Sequence, residues 1–108
     1  MPREEMPPVL LEQVAERFRA LGEPVRLALL DALRKGEQTV GELVEATGHG
    51  QANVSRHLGV LHAAGLVSRR REGTFVHYAV ADPGVYDLCD LVCGRLQRDA
   101  EAIVRAVR

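Results

Sequence analysis

With 108 residues the chain has room for one domain with a core and few residues to spare for a second. A formal net charge of −1, from 15 acidic against 14 basic side chains, excludes a protein that is basic all over, so any affinity for a polyanion has to come from segregated charge. Two cysteines four positions apart are not the framework of a secreted disulfide scaffold, and no stretch reaches the roughly 18 apolar residues of a membrane span; a reducing, cytoplasmic setting without membrane association is expected.

Residues 1–8 read as a flexible arm whose prolines and mixed charges bury nothing, followed by a single domain over 9–108. Leu10, Val14, Phe18 and Leu21 form one stripe on a first helix that Gly22 ends. Pro24 suits the first position of a second helix, where its missing N–H costs nothing. The buried face of that helix is Val25, Ala28, Leu29, Ala32 and Leu33, and Gly36 closes it. Thr39 and Glu42 carry the spacing of a capping box, in which each side chain satisfies an otherwise orphan backbone N–H at the start of a short third helix. Gly48-His49-Gly50 predicts a sharp turn into a fourth helix. There Val54, Leu58 and Leu61 face inward, and Gln51, Asn53, Ser55, Arg56 and His57 are expected to face out.

Leu66 to Arg71 and Thr74 to Val80 flank Glu72-Gly73, the expected tight turn of a hairpin, with Val76, Tyr78 and Val80 alternating on one side. Asp82-Pro83 predicts a helix start, with Asp82 as cap and Pro83 in the first position. The stripe Val85, Leu88, Val92, Leu96, Ala100, Ile103 and Val107 then runs for more than six turns. So long an apolar face exceeds what a small core covers, and pairing with a second copy is its natural use; packing along the first helix alone is the alternative. The predicted fold is mainly α with a small β-hairpin, in the order α-α-α-α-β-β-α. This is the plan of a winged helix-turn-helix, dimerised through its terminal helices.

Charge falls into place on this plan. No Asp or Glu occurs from Ala46 to Arg71, while Arg56, Arg69, Arg70, Arg71, His49, His57 and His62 do, so acid is cleared from the turn, the fourth helix and the first strand. Gln51 and Asn53 offer amide forks for adenine, Arg56 a guanidinium for guanine or phosphate, and Ser55 a hydroxyl for either. Arg70 can alternate inward or toward the chain's own acids. His57 is read as a groove or phosphate contact; His49, His62 and His77 are read as structural.

The segments ALGEPVRLALLDALRKGEQTVGELVEATG and QANVSRHLGVLHAAGLVSRRREGTFVHYAV, with the last helix opened by Asp82-Pro83, resemble the ArsR/SmtB family of metal- and stress-responsive bacterial repressors, over about Glu5 to Val104. The resemblance implies a homodimeric winged-helix repressor that binds an inverted repeat in double-stranded operator DNA and releases it when an inducer binds. By position, Gln51 to Leu61 is the recognition helix, and the hairpin with Arg69, Arg71 and Thr74 is the wing. The family's arsenic site on the third helix is absent, since TVGELVEATG has no cysteine. Its interfacial zinc site does not transfer either, since the last helix has no histidine.

Cys89 and Cys93 lie on one side of the last helix and are the candidate sensor. Two thiolates suit a thiophilic ion such as arsenite, antimonite or cadmium, although a three-thiolate site would have to borrow across the dimer. A direct disulfide is disfavoured, because Cβ atoms at this spacing sit about 5–6 Å apart against the roughly 3.8 Å a disulfide prefers. A polysulfide bridge or single-thiol oxidation avoids that mismatch, and the alternative to sensing is a pair of small interface hydrophobes.

An enzyme is not expected: there is no G-x-S-x-G, H-E-x-x-H, P-loop or dinucleotide fingerprint, and the cysteines sit inside a helix beside Asp87 and Asp90, where negative neighbours raise a thiol's pKa. A winged-helix module that binds protein would want acids or apolar residues on the outer face of the fourth helix, and Gln51, Asn53 and Arg56 speak against it.

Overall fold

Proline opens two helices, and Gly22 ends the first. In the computed structural model, which describes residues 5–108, α1 runs Pro8–Leu21 and α2 runs Pro24–Ala32. Of the expected arm, residues 1–4 lie outside the described residues, and Pro8 is already helical. The carboxylate of Glu23 caps α2 by accepting from the Arg26 N–H at 3.0 Å. A 3-10 turn, Leu33–Lys35, carries the chain to Gly36.

Helix α3, Val40–Thr47, opens with the expected capping box: Thr39 N–H donates to Glu42 Oε1 at 2.8 Å and Glu42 N–H to Thr39 Oγ1 at 3.2 Å. These bonds hold the Glu42 carboxyl below its ordinary pKa. Gly48 takes the left-handed conformation, φ 75°, which a side chain would strain, and this permits the turn into α4, Gln51–Ala63. Strands β2, Val67–Glu72, and β3, Phe75–Val80, form the hairpin. Glu72 pairs with Phe75, so the tight turn is Gly73-Thr74, one residue later than Glu72-Gly73; Gly73 supplies the positive φ, 61°.

The sheet is larger than a hairpin. Gln38–Thr39 forms a short strand, β1, antiparallel to β3 in the order β1-β3-β2. The core beneath is aliphatic apart from Tyr78: Leu29, Leu30 and Leu33 from α2 and its 3-10 turn, Leu43 from α3, Val54, Leu58 and Leu61 from α4, then Val67 and Val85. Leu58 is wholly buried.

Helix α5, Gly84–Ala106, starts one residue after the expected position, with Asp82 Oδ1 accepting from Gly84 N–H at 2.8 Å. It is fastened near its beginning. Val85 enters the core, the Tyr86 hydroxyl donates to Leu30 O at 2.7 Å, and the Arg34 guanidinium lies 4.3 Å above the Tyr86 ring. Asp90 pairs with Arg34 at 2.9 Å. Beyond Asp90 the stripe is bare in the single chain, with Leu96 63% and Ile103 65% exposed. Phe18 of α1 is also 55% exposed. No described helix is long and apolar enough to cross a membrane.

Candidate nucleic-acid interface and thiol groove

Helix α4 begins without a side-chain cap. Its N-cap is Gly50, and no acid lies in its first turn, so among the described residues its leading N–H groups and the positive end of its dipole have no anionic side-chain partner. Gln51, Ser55 and Arg56 are exposed, and Asn53 is half-buried. Asn53 Oδ1 accepts from Arg56 Nη2 at 2.7 Å, which braces the guanidinium over the first turns of the helix. This is the outer face expected from the sequence, with one exception.

His57 does not face out. It is 5% exposed, packed between α4 and α2, with Nδ1 3.0 Å from Arg26 Nη1 and 3.9 Å from Glu23 Oε2. The groove or phosphate contact assigned to it is therefore corrected to an internal role. The physical reason is phase: Val54, His57, Leu58 and Leu61 follow the i, i+3, i+4, i+7 pattern of one buried helical face. Burial pushes the imidazole below its ordinary pKa, against the opposing pull of Glu23.

On the hairpin, Arg69, Arg71 and Thr74 are exposed, with Thr74 in the turn. Arg70 projects to the other side of β2 and is spoken for. Its Nε and Nη2 donate to the two carboxylate oxygens of Glu37 at 2.9 and 2.6 Å, and Nη1 donates to Glu72 at 3.1 Å. The paired guanidinium pulls the Glu37 carboxyl below its ordinary pKa. His77 lies between the same acids, 3.9 Å from Glu37 and 3.7 Å from Glu72, a structural placement as expected.

Cys89 is half-buried and Cys93 exposed. Both line one apolar groove of 450 Å³ between α5, α1 and α2, with Phe18, Leu27, Leu88 and Leu96. Among the described residues no three His, Cys, Asp or Glu side chains are grouped to hold a metal ion. Within one chain the two thiols therefore fit only an ion content with two soft ligands. The sequence had marked these cysteines and the outer face of α4. It had not marked Arg26 or Glu23, whose nearness to His57 spans some thirty positions of the chain and has no local signature.

A family model for bacterial regulatory proteins of the arsR family matches residues 23–69. A probable mercury resistance operon repressor of Streptomyces lividans is 45% identical over 84 residues, 78% of this chain and 67% of that protein. Among solved structures, the crystal structure of Mycobacterium tuberculosis Rv0081 superposes with a TM-score of 0.77 at 34% identity, over 92% of this chain and 99% of the other. The solution structure of a homodimeric winged helix-turn-helix DNA-binding domain from Mycobacterium bovis gives 0.78 at 35% identity, over 93% and 95%.

Proposed function

Because the chain belongs to the arsR family of bacterial regulatory proteins, winged-helix DNA-binding regulators of transcription, we propose that it is a homodimeric repressor whose operator is released through Cys89 and Cys93. The observation that carries the DNA reading is the uncapped N-terminus of α4 beside exposed Gln51, Ser55 and Arg56, in a stretch without acid. Helix α4 enters the major groove, Asn53 and Arg56 read base edges or phosphate, and Arg69, Arg71 and Thr74 reach the backbone from the wing. A second copy covers the bare stripe of α5 and Phe18 of α1, since so large an apolar face is seldom left in water.

The inducer is a thiophilic species. Two thiols in one apolar groove, without a third ligand among the described residues, favour a soft ion held as a dithiolate, with two protons released on binding. The Streptomyces relative's name, a repressor of mercury resistance, belongs to the same chemistry as the arsenite, antimonite and cadmium considered from sequence. Reactive sulfur is the second reading, supported by the i, i+4 spacing that suits a bridge longer than a disulfide. The groove lies where α5 meets α1, so filling it shifts the dimer joint and the separation of two recognition helices that must match grooves about 34 Å apart.

Fluorescence anisotropy on the chain's own promoter duplex, with mercury(II), arsenite, cadmium and a polysulfide added in turn, tests this. Wild type is expected to release with at least one of them. Cys89→Ser with Cys93→Ser is expected to bind as tightly and not to release. Release that survives the double substitution would return both cysteines to the role of interface hydrophobes, in a repressor with no cysteine-based sensing.

A further inference from the structure

Arg26 stands where three elements meet. Its Nε donates to Ala20 O at 2.6 Å and its Nη2 to Arg19 O at 3.2 Å, both carbonyls of the last turn of α1. Its Nη1 points at Nδ1 of His57 from 3.0 Å. A guanidinium carries only donors, so Nδ1 has to be the bare nitrogen of a neutral ring and Nε2 the one that bears the proton. A second relation follows. Arg56 Nη2, 3.4 Å from Nε2, meets an N–H instead of an acceptor, so Arg56 is steadied through Asn53 and keeps its remaining donors for an outside acceptor.

We propose that Arg26 is a positioning residue for DNA binding, clamping the recognition helix to the end of α1 through the bare Nδ1 of His57, and that acid opens the clamp. This rests on the reading of α4 as the DNA-contacting helix. The groups that face the ring are Arg26 from α2, Glu23 from the turn before it, Arg56 from α4 itself and His49 from the turn that precedes α4. Protonation of Nδ1 sets two donors and two positive charges against each other. Glu23, the anion among these groups, takes the new N–H from 3.9 Å away. Arg26 then loses its hold on α4, and the link from the dimer helix to the recognition helix parts. Because burial disfavours the charged ring, opening falls below the ordinary histidine value of 6.5. Recognition tolerates little looseness, since a functional constellation has to be held within about 0.5 Å.

The test uses the 108-residue chain. Nitrogen-15 NMR of the His57 ring is expected to show the Nε2–H tautomer at neutral pH. Operator affinity is expected to fall about tenfold as the ring titrates. Arg26→Gln should lose about tenfold at neutral pH with an unchanged salt slope, since it removes no phosphate contact. His57→Asn, whose Oδ1 stands where Nδ1 does and does not titrate, should keep neutral-pH affinity and lose the acid limb. An Nδ1–H tautomer, an acid limb that persists in His57→Asn, or a salt slope reduced by about one in Arg26→Gln would each overturn the clamp. Should Arg26→Gln fail to fold by circular dichroism, the tautomer and the Asn variant still decide. A wild-type chain that shifted no promoter fragment would instead sink the operator reading, while the tautomer reported on the clamp alone.

Discussion

Gly50→Asp separates the stability of α4 from its use. Gly50 is the N-cap of the helix, its φ of −67° and ψ of 155° suit any residue, and an added Cβ meets nothing within 4 Å. An aspartate there accepts from the free N–H groups of the first turn. Over glycine that contributes a few tenths of a kcal/mol, and the charge adds about 0.3–1 kcal/mol at the positive end of the helix dipole. A net gain of about 0.5 kcal/mol raises the thermal midpoint by about 2–4 °C in a domain of this size, compared at one protein concentration. On DNA the same carboxylate occupies the place of a phosphate oxygen. One added negative charge lowers the salt slope by about 0.9, so the loss relative to wild type shrinks about 3.5-fold between 50 and 200 mM salt. Gly50→Ser is the control, capping without charge. Thermal melts and anisotropy at several salt concentrations measure both sides. A Gly50→Asp variant that bound as tightly as wild type, with the same slope, would mean that the N-terminus of α4 does not meet the DNA backbone.

Leu96→Glu and Ile103→Glu place a charge in the bare stripe of α5 and should dissociate the dimer, seen by sedimentation, with loss of operator binding. An unchanged dimer in either would confine α5 to its own subunit. Arg70→Ala should leave the salt slope of DNA binding alone, because Arg70 is held by Glu37 and Glu72. It should instead change stability in acid. Glu37, with its pKa lowered by Arg70 in the folded chain, contributes stability that is present above the unfolded carboxylate value of about 4.3 and is lost as pH falls through the lower folded value. Thermal midpoints from pH 7 to 2.5 should therefore flatten in the variant, and a slope that stayed the same would assign no such linkage to the pair.

Local chemistry was legible and distant pairing was not. The capping box of Thr39 and Glu42, the start of α5 at Asp82 to within one residue and the proline of α2 all act within three or four residues, so spacing alone reveals them. Strand β1 has only two residues, too few to show a period, and it exists because β3 offers Gln38 and Thr39 an edge to pair with. The inward turn of His57 was within reach of the sequence, since it fills the i+3 place of the Val54 stripe; polarity argued outward while phase argued inward. What outweighed polarity is Arg26, 31 positions away, which gives the buried ring a partner. Arg70 is alike: strand alternation set it apart from Arg69 and Arg71, but its acid lies 33 positions back at Glu37.

The short fastening of α5 makes it a lever. From Asp90, where the ion pair with Arg34 ends the anchorage, to Ala106 the helix extends about 24 Å at 1.5 Å per residue. A tilt of about 5° at the fastening therefore carries the far end about 2 Å, more than the length of a carbon–carbon bond and enough to unseat interlocked side chains. Cys89 sits inside the fastened part and Cys93 one turn past it. A small displacement at their groove, close to the fastening, is therefore multiplied in amplitude along the free arm.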